Sequence, residues 1–124
     1  MSKDTQPLRI VNDQTGQPTS CNELSRRVCE ILLRETPFGI YHITNSGQAT
    51  WYELALAISK IIGGEGPRIL PISSENLKSV VKRPTFSVLN NERMELAGLS
   101  KMPHWKVSLM KELPSIISFT ETKD

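Results

Sequence analysis

The chain has 124 residues, 38% of them hydrophobic, and 15 Lys+Arg against 13 Asp+Glu leave a formal charge of +2. That length predicts one domain burying roughly two-thirds of its unfolded surface around a single core. Basic residues this dispersed, with no run longer than Arg26-Arg27 or Lys82-Arg83, argue against a nucleic-acid surface; without an apolar run near ~20 residues or a signal-type apolar segment in Met1 to Gln6, no membrane anchor is expected and the chain reads as soluble and cytoplasmic.

Leu8-Arg9-Ile10-Val11 reads as a buried strand running into a polar turn, Asn12 to Pro18, where Gly16 is expected to supply a positive φ and Pro18 to fix the entry to a helix. Seven residues precede this strand, so little structure is expected upstream. Ser20-Cys21-Asn22-Glu23 fits a capping box, and Leu24, Val28, Ile31 and Leu32 predict the core-facing stripe of a helix from Cys21 to Arg34, ended by Pro37. Cys21 and Cys29 then stand about 12 Å apart along one helix axis, beyond the ~7 Å Cα separation a disulfide allows. They are expected as small buried or half-buried thiols, and no His stands near them at zinc-ligand spacing.

Gly39-Ile40-Tyr41-His42-Ile43-Thr44, β-branched and aromatic between Pro37 and Asn45-Ser46-Gly47, predicts a strand. A second capping box, Thr50-Trp51-Tyr52-Glu53, opens a helix with Trp51, Leu54, Ala55, Ile58, Ile61 and Ile62 on one stripe and Gly63-Gly64 as its stop. This alternation predicts parallel strands joined by crossover helices. Arg68 to Ile72 reads as a short extended segment, Ser73 to Ser79 as a helical turn, and Lys82 to Leu89 as extended around Pro84. Asn90 caps a short helix stopped by Gly98, and Pro103-His104 introduces a terminal helix carrying Trp105, Leu109 and Leu113, broken or kinked at Pro114. Residues 120–124 read as a frayed polar tail. No internal repeat or low-complexity segment is present.

Ligands of open α/β sheets collect outside the carboxyl ends of strands. Asp13, Gln14 and Thr19 after the first strand, and Asn45 with Ser46 after the second, are therefore candidates to line a ligand edge. Each has a structural alternative: Asp13 satisfying turn N–H groups, Thr19 capping the helix beside Ser20, Asn45 and Ser46 forming a turn. Arg83 is the candidate ligand contact, because a guanidinium is always charged and bonds a diphosphate through two N–H groups, while Pro84 stiffens its backbone. The alternative for Arg83 is a surface ion pair or a solvated loop. Lys82 reads as solvated, His42 as packed or hydrogen-bonded within its strand, His104 as a helix start, and Trp51 and Trp105 as core packing.

Three ordered segments carry a resemblance: Val11-Asn12-Asp13-Gln14-Thr15-Gly16-Gln17-Pro18-Thr19, then Gly39 to Gly47 with Trp51-Tyr52-Glu53, then Arg83-Pro84 with Ser87-Val88-Leu89-Asn90. Together they closely resemble the dTDP-4-dehydrorhamnose reductases, a branch of the extended short-chain dehydrogenases. The likeness covers nearly the whole chain but only the C-terminal portion of such an enzyme. It implies an α/β fold, the C-terminal part of a Rossmann-type extended short-chain dehydrogenase, with short parallel strands, crossover helices and a small irregular substrate-binding region over residues 1–119. It also implies reduction of the 4-keto group of a dTDP-sugar by NADPH or NADH in the full-length family, and an Arg-Pro element set against the diphosphate.

Two parts of that machinery have no counterpart. Gly63, Gly64 and Gly66 do not form G-x-G-x-x-G and follow a helix, and four residues after Tyr41 and Tyr52 stand Asn45 and Leu56 where a Lys is needed. No catalytic residue, metal ligand or cofactor-binding residue is therefore assigned to this chain, which is expected to be inactive by itself. A dTDP-sugar is the expected ligand, and a protein partner supplying the Rossmann half is the expected complement. The alternatives are a non-catalytic module similar to the regulatory beta subunit of methionine adenosyltransferase, and a truncated gene product with an unpaired strand edge.

Overall fold

A computed structural model describes residues 6–63, 66–77 and 81–121. Strand β1 (Leu8–Val11) pairs in parallel with β4 (Ile69–Ile72), in register from Leu8↔Ile69 to Val11↔Ile72. Parallel neighbours require a crossover, and the connection holds α1 (Cys21–Leu33) and α2 (Trp51–Ile61), of which α2 packs on both strands. The expectation that β1 is buried is corrected: Leu8 is 50% exposed, because the sheet has two strands and so leaves edges open. Pro71, which donates no ladder hydrogen bond, is tolerated in β4 for the same reason.

A second, smaller pairing sets the ligand edge. β2 (Thr15–Gly16) runs antiparallel to β3 (Ala49–Thr50). On its other side the Thr15 N–H donates to the Thr85 carbonyl at 2.8 Å and the Ser87 N–H to the Thr15 carbonyl at 2.9 Å. Gly16 does not adopt the positive φ expected of it. Its missing side chain matters through space, since a Cβ there would stand 3.1 Å from Ser87 Oγ.

Both predicted helix starts form, by different chemistry. In α2, Thr50 and Glu53 make the complete reciprocal box, with the Thr50 N–H donating to the Glu53 carboxylate at 2.7 Å. In α1, Ser20 accepts from the Glu23 N–H at 3.1 Å, but its own N–H donates to Asn45 Oδ1 while the Glu23 carboxylate stands 3.6 Å from Lys111.

The predicted apolar stripe of α1 holds at Ile31, which packs against the buried cluster of Met94, Leu99 and Met102, and is corrected elsewhere: Leu32 is 77% exposed and Leu24 and Val28 are exposed as well, whereas Glu23 and Arg27 are buried. The helix turns Glu23 to Lys111 and Glu30 to the Ser100 loop, while Arg27 between them pairs with Glu30 on its own helix. Cys21 and Cys29 are free and exposed rather than buried.

The predicted strand at Gly39–Thr44 does not form. The Thr44 N–H and carbonyl are both taken by the Asn91 side chain, at 3.1 and 2.6 Å, and among the described residues no strand lies alongside. The alternation of its side chains survives: Tyr41 and Ile43 pack on the buried cluster of Met94, Leu99 and Met102, while Ile40 is 78% exposed and His42, expected to be packed, is exposed.

Helix α3 (Glu92–Leu96) starts one residue later than expected, after Asn91, with Asn90 Oδ1 accepting from the Glu92 N–H at 2.8 Å and Gly98 at φ 70° ending it. Helix α4 (Trp105–Glu121) buries Trp105 and Leu113 and passes through Pro114 unbroken. Gly63, at φ 84°, stops α2 as expected, and Ser73 to Leu77 makes the predicted turn. Gly64, the continuation of that turn to Ser79, and residues 122–124 of the tail lie outside the described residues. Among the described residues no helix is long and apolar enough to cross a membrane.

Candidate nucleotide-binding site

The turn after β1 is bolted to the turn after β4 through one hydroxyl. Asp13 accepts from the Ser74 N–H at 2.8 Å and from the Ser74 hydroxyl at 2.6 Å, while Gln14 Nε2 donates to that hydroxyl at 2.9 Å. The Ser74 hydroxyl, and after it the Ser74 N–H, hold the Asp13 carboxyl below its ordinary 3.8. Gln17 ties the same loop to the far segment by accepting from the Leu89 N–H at 2.7 Å. These ties and the β2 ladder bring Arg83-Pro84 beside the start of α2.

Two cavities result. One, of about 300 Å³, is walled largely by Gly16, Pro18, Ala49, Leu54 and Pro84. The other, of about 870 Å³, is lined by charges of both signs, Arg9 and Lys82 with Asp13 and Glu75. Gln14, Trp51 and Arg83 line both. Arg83 is exposed, and no ion pair among the described residues involves it. An apolar slot beside exposed cations and amide groups accommodates an anion with a flat, weakly polar body.

The site residues expected from sequence divide. Arg83, Asp13 and Gln14 meet at the cavities, although Asp13 already accepts two hydrogen bonds from Ser74. Thr19 and Asn45 line neither. Thr19 does not cap α1; its hydroxyl donates to the Gln17 carbonyl at 3.0 Å and accepts from the Asn45 N–H. Asn45 is fully buried: Oδ1 accepts from the Ser20 N–H at 2.8 Å, and Nδ2 donates to the Pro103 carbonyl at 2.9 Å and to Ser108 Oγ at 2.8 Å. It fastens α1, the 39–47 segment and α4 together.

Trp51, read as core, is 53% exposed and faces both cavities. As the first residue of a capped helix directly after β3, it sits where the chain turns from strand to helix, and the helical period that suggested burial does not yet govern it. Ser74 carries only a weak signal in the sequence, a hydroxyl two residues past a strand end.

Among the described residues no group of His, Cys, Asp or Glu is placed to hold a metal ion. The N-terminus of α2 is occupied by its own Thr50 and Glu53 side chains, and a Cβ on Gly63 or Gly66 would meet nothing within 4 Å. Tyr41 packs in the core with its hydroxyl donating to the Pro37 carbonyl and the Arg93 guanidinium 5.1 Å from its ring centre.

A parallel strand pair joined by crossover helices, with a ligand edge of loops beyond the strands, defines a partial Rossmann-like α/β chain of the extended short-chain dehydrogenase type. The family model described as the RmlD substrate binding domain matches residues 1–116, and the chain belongs to that family. A dTDP-4-dehydrorhamnose reductase of Streptomyces griseus is 34% identical over 120 residues, covering 94% of this chain and 40% of the relative. The crystal structure of a dTDP-4-dehydrorhamnose reductase from Clostridium acetobutylicum superposes with a TM-score of 0.83 at 32% identity, covering 92% of this chain and 40% of that one. That of the Bacillus anthracis dTDP-4-dehydrorhamnose reductase, in complex with NADP, gives 0.79 at 26% identity, covering 91% and 39%. The chain thus spans 40% of the length of the first of these relatives.

Proposed function

We propose that this chain forms the sugar-nucleotide side of a dTDP-4-dehydrorhamnose reductase-like enzyme, holding a dTDP-sugar while the nicotinamide cofactor and the proton donor are supplied by residues outside it. The observation that carries this reading is Arg83, an exposed guanidinium in no ion pair among the described residues, presented by Pro84 between an apolar slot and a charged cavity. NADPH or NADH is the reductant of this reading, as in the relative solved with NADP, and a cytoplasmic location belongs to it.

Calorimetric titration with dTDP tests the reading. Saturable binding is expected, and Arg83→Ala is expected to weaken it by about 1.5–3 kcal/mol, the range for a hydrogen bond to a charged group. No saturable heat with the unaltered chain sinks the proposal. Supplied with NADPH and the keto-sugar, the 124-residue chain is expected to give no turnover.

The exposed stripe of Leu24, Val28 and Leu32 on α1 favours a second reading, a non-catalytic module that binds a partner enzyme in the manner of the methionine adenosyltransferase beta subunit. Under the first reading this stripe meets the dinucleotide-binding half. A stable complex with a partner enzyme, unaffected by Arg83→Ala, supports the second; a clean monomer profile without partner counts against it.

A further inference from the structure

Resting on the nucleotide-binding reading above, we infer that Trp51 is the stacking platform for the nucleobase and the residue that makes the site selective for a nucleotide over a bare diphosphate. A fully formed hydrophobic core gives a tryptophan no reason to stay half in water, yet the Trp51 side chain is 53% exposed while Trp105 is 3% exposed. Its ring lies at the boundary of two cavities with different chemistry. On one side are Gly16, Pro18, Ala49 and Pro84, small or rigid groups that leave a slot of about 300 Å³. On the other side the larger cavity carries Arg9 and Lys82 opposed by Asp13 and Glu75, and Arg83, which lines both cavities, adds a further positive charge. A flat heteroaromatic ring laid against the indole has an edge toward Gln14, whose Nε2 is tied to Ser74 Oγ and whose Oε1 can accept from a base N–H, and its phosphates toward Arg83.

The backbone holds this platform still. The reciprocal Thr50–Glu53 box fixes the residue directly before Trp51, and Thr50 is also paired to Thr15 across the β2–β3 ladder. The α2 N-terminus is thereby closed to an anion by its own side chains, so the contribution of this helix to the ligand is the indole face rather than its N–H groups. Base–aromatic stacking is sequence-tolerant in strength, so selectivity among bases falls to the Gln14 amide and the width of the slot, and selectivity for carrying any base falls to Trp51.

The test compares dTDP with inorganic pyrophosphate on the full chain. Trp51→Ala is expected to weaken dTDP about 10- to 100-fold and to leave pyrophosphate affinity unchanged, while Trp51→Phe stays within about threefold of the unaltered chain because a planar face remains. Binding of dTDP is expected to quench the red-shifted emission of the exposed indole, a signal absent from Trp51→Phe. Full dTDP affinity in Trp51→Ala overturns the stacking role while leaving the nucleotide reading intact. Equal loss of dTDP and pyrophosphate in Trp51→Ala also overturns it, since a merely structural residue behaves that way. If the unaltered chain binds no dTDP, both readings fall.

Discussion

Replacing the buried Asn45 by Ala removes three hydrogen bonds at once, to the Ser20 N–H, the Pro103 carbonyl and Ser108 Oγ. At about 0.5–1.5 kcal/mol net for each, the loss spans about 1.5–4.5 kcal/mol. Ser108 recovers part of it, because a helical serine can turn its hydroxyl to the carbonyl four residues back, and the His104 carbonyl already receives the Ser108 N–H at 3.3 Å. The Pro103 carbonyl keeps its bond from the Ser46 N–H at 3.0 Å, whereas the Ser20 N–H has no such recourse, so about 3 kcal/mol, the middle of that range, is expected, a large share of the about 5–15 kcal/mol that stabilises an ordinary domain. Urea unfolding followed by the fluorescence of buried Trp105 reads it out as a midpoint lowered by about 2 M, at a slope of about 1.5 kcal/mol per molar. Asn45→Asp keeps an acceptor for Ser20 but loses both donors and turns a carboxylate toward the Pro103 carbonyl, so it is expected to cost at least as much. A loss below about 1 kcal/mol in Asn45→Ala would refute the reasoning, since it would mean that the three partners do not depend on this amide.

The Asp13 carboxyl titrates below its ordinary 3.8 when folded, so its ties to Ser74 contribute stability above that pH and lose it as pH falls through the folded value. Asp13→Asn is expected to flatten the acid limb of thermal melts taken from about pH 6 to about pH 2, with Glu30, lowered first by its hydrogen bond from Arg27, accounting for part of the slope that remains. An unchanged acid limb would count against the Ser74 geometry. Gly47 sits at φ 80°, and a Cβ there would stand 2.3 Å from His104 Nε2. Gly47→Ala is accordingly expected to cost about 2–3 kcal/mol by chemical denaturation, of which the about 1–2 kcal/mol of left-handed backbone strain persists when His104→Ala is added and the steric part does not.

What was legible in the sequence was local. The boxes Ser20–Glu23 and Thr50–Glu53 concern groups three residues apart, and both helices begin where those residues place them. Arg83 and Gln14 stand out as candidates because a charge or amide beside a Pro- or Gly-bearing turn has few roles apart from ligand and surface, and both line the two cavities. Illegible were features set by what lies opposite. Periodicity marks Leu24, Val28 and Leu32 as apolar, but only the arrival of Lys111 from α4 decides that the neighbouring charged seam faces inward. Gly39–Thr44 has strand composition, yet a strand needs a neighbour, and among the described residues the Asn91 side chain occupies the backbone groups of Thr44. Asn45 reads as a turn residue in any local window, because its partners come from sequence separations of 25, 58 and 63 residues.

Those separations govern the order in which the molecule can be assembled on a ribosome. The amide of Asn45 waits for Pro103 and Ser108, and the hydroxyl of Ser20 for Glu112, so the first half of the chain emerges from the exit tunnel well before the groups that secure it. During that interval the apolar flank of the first helix and the unaccompanied 39–44 stretch are open to chaperones. A stop codon placed before residue 103 would therefore release a polypeptide without its central clasp, however well its isolated helices are capped.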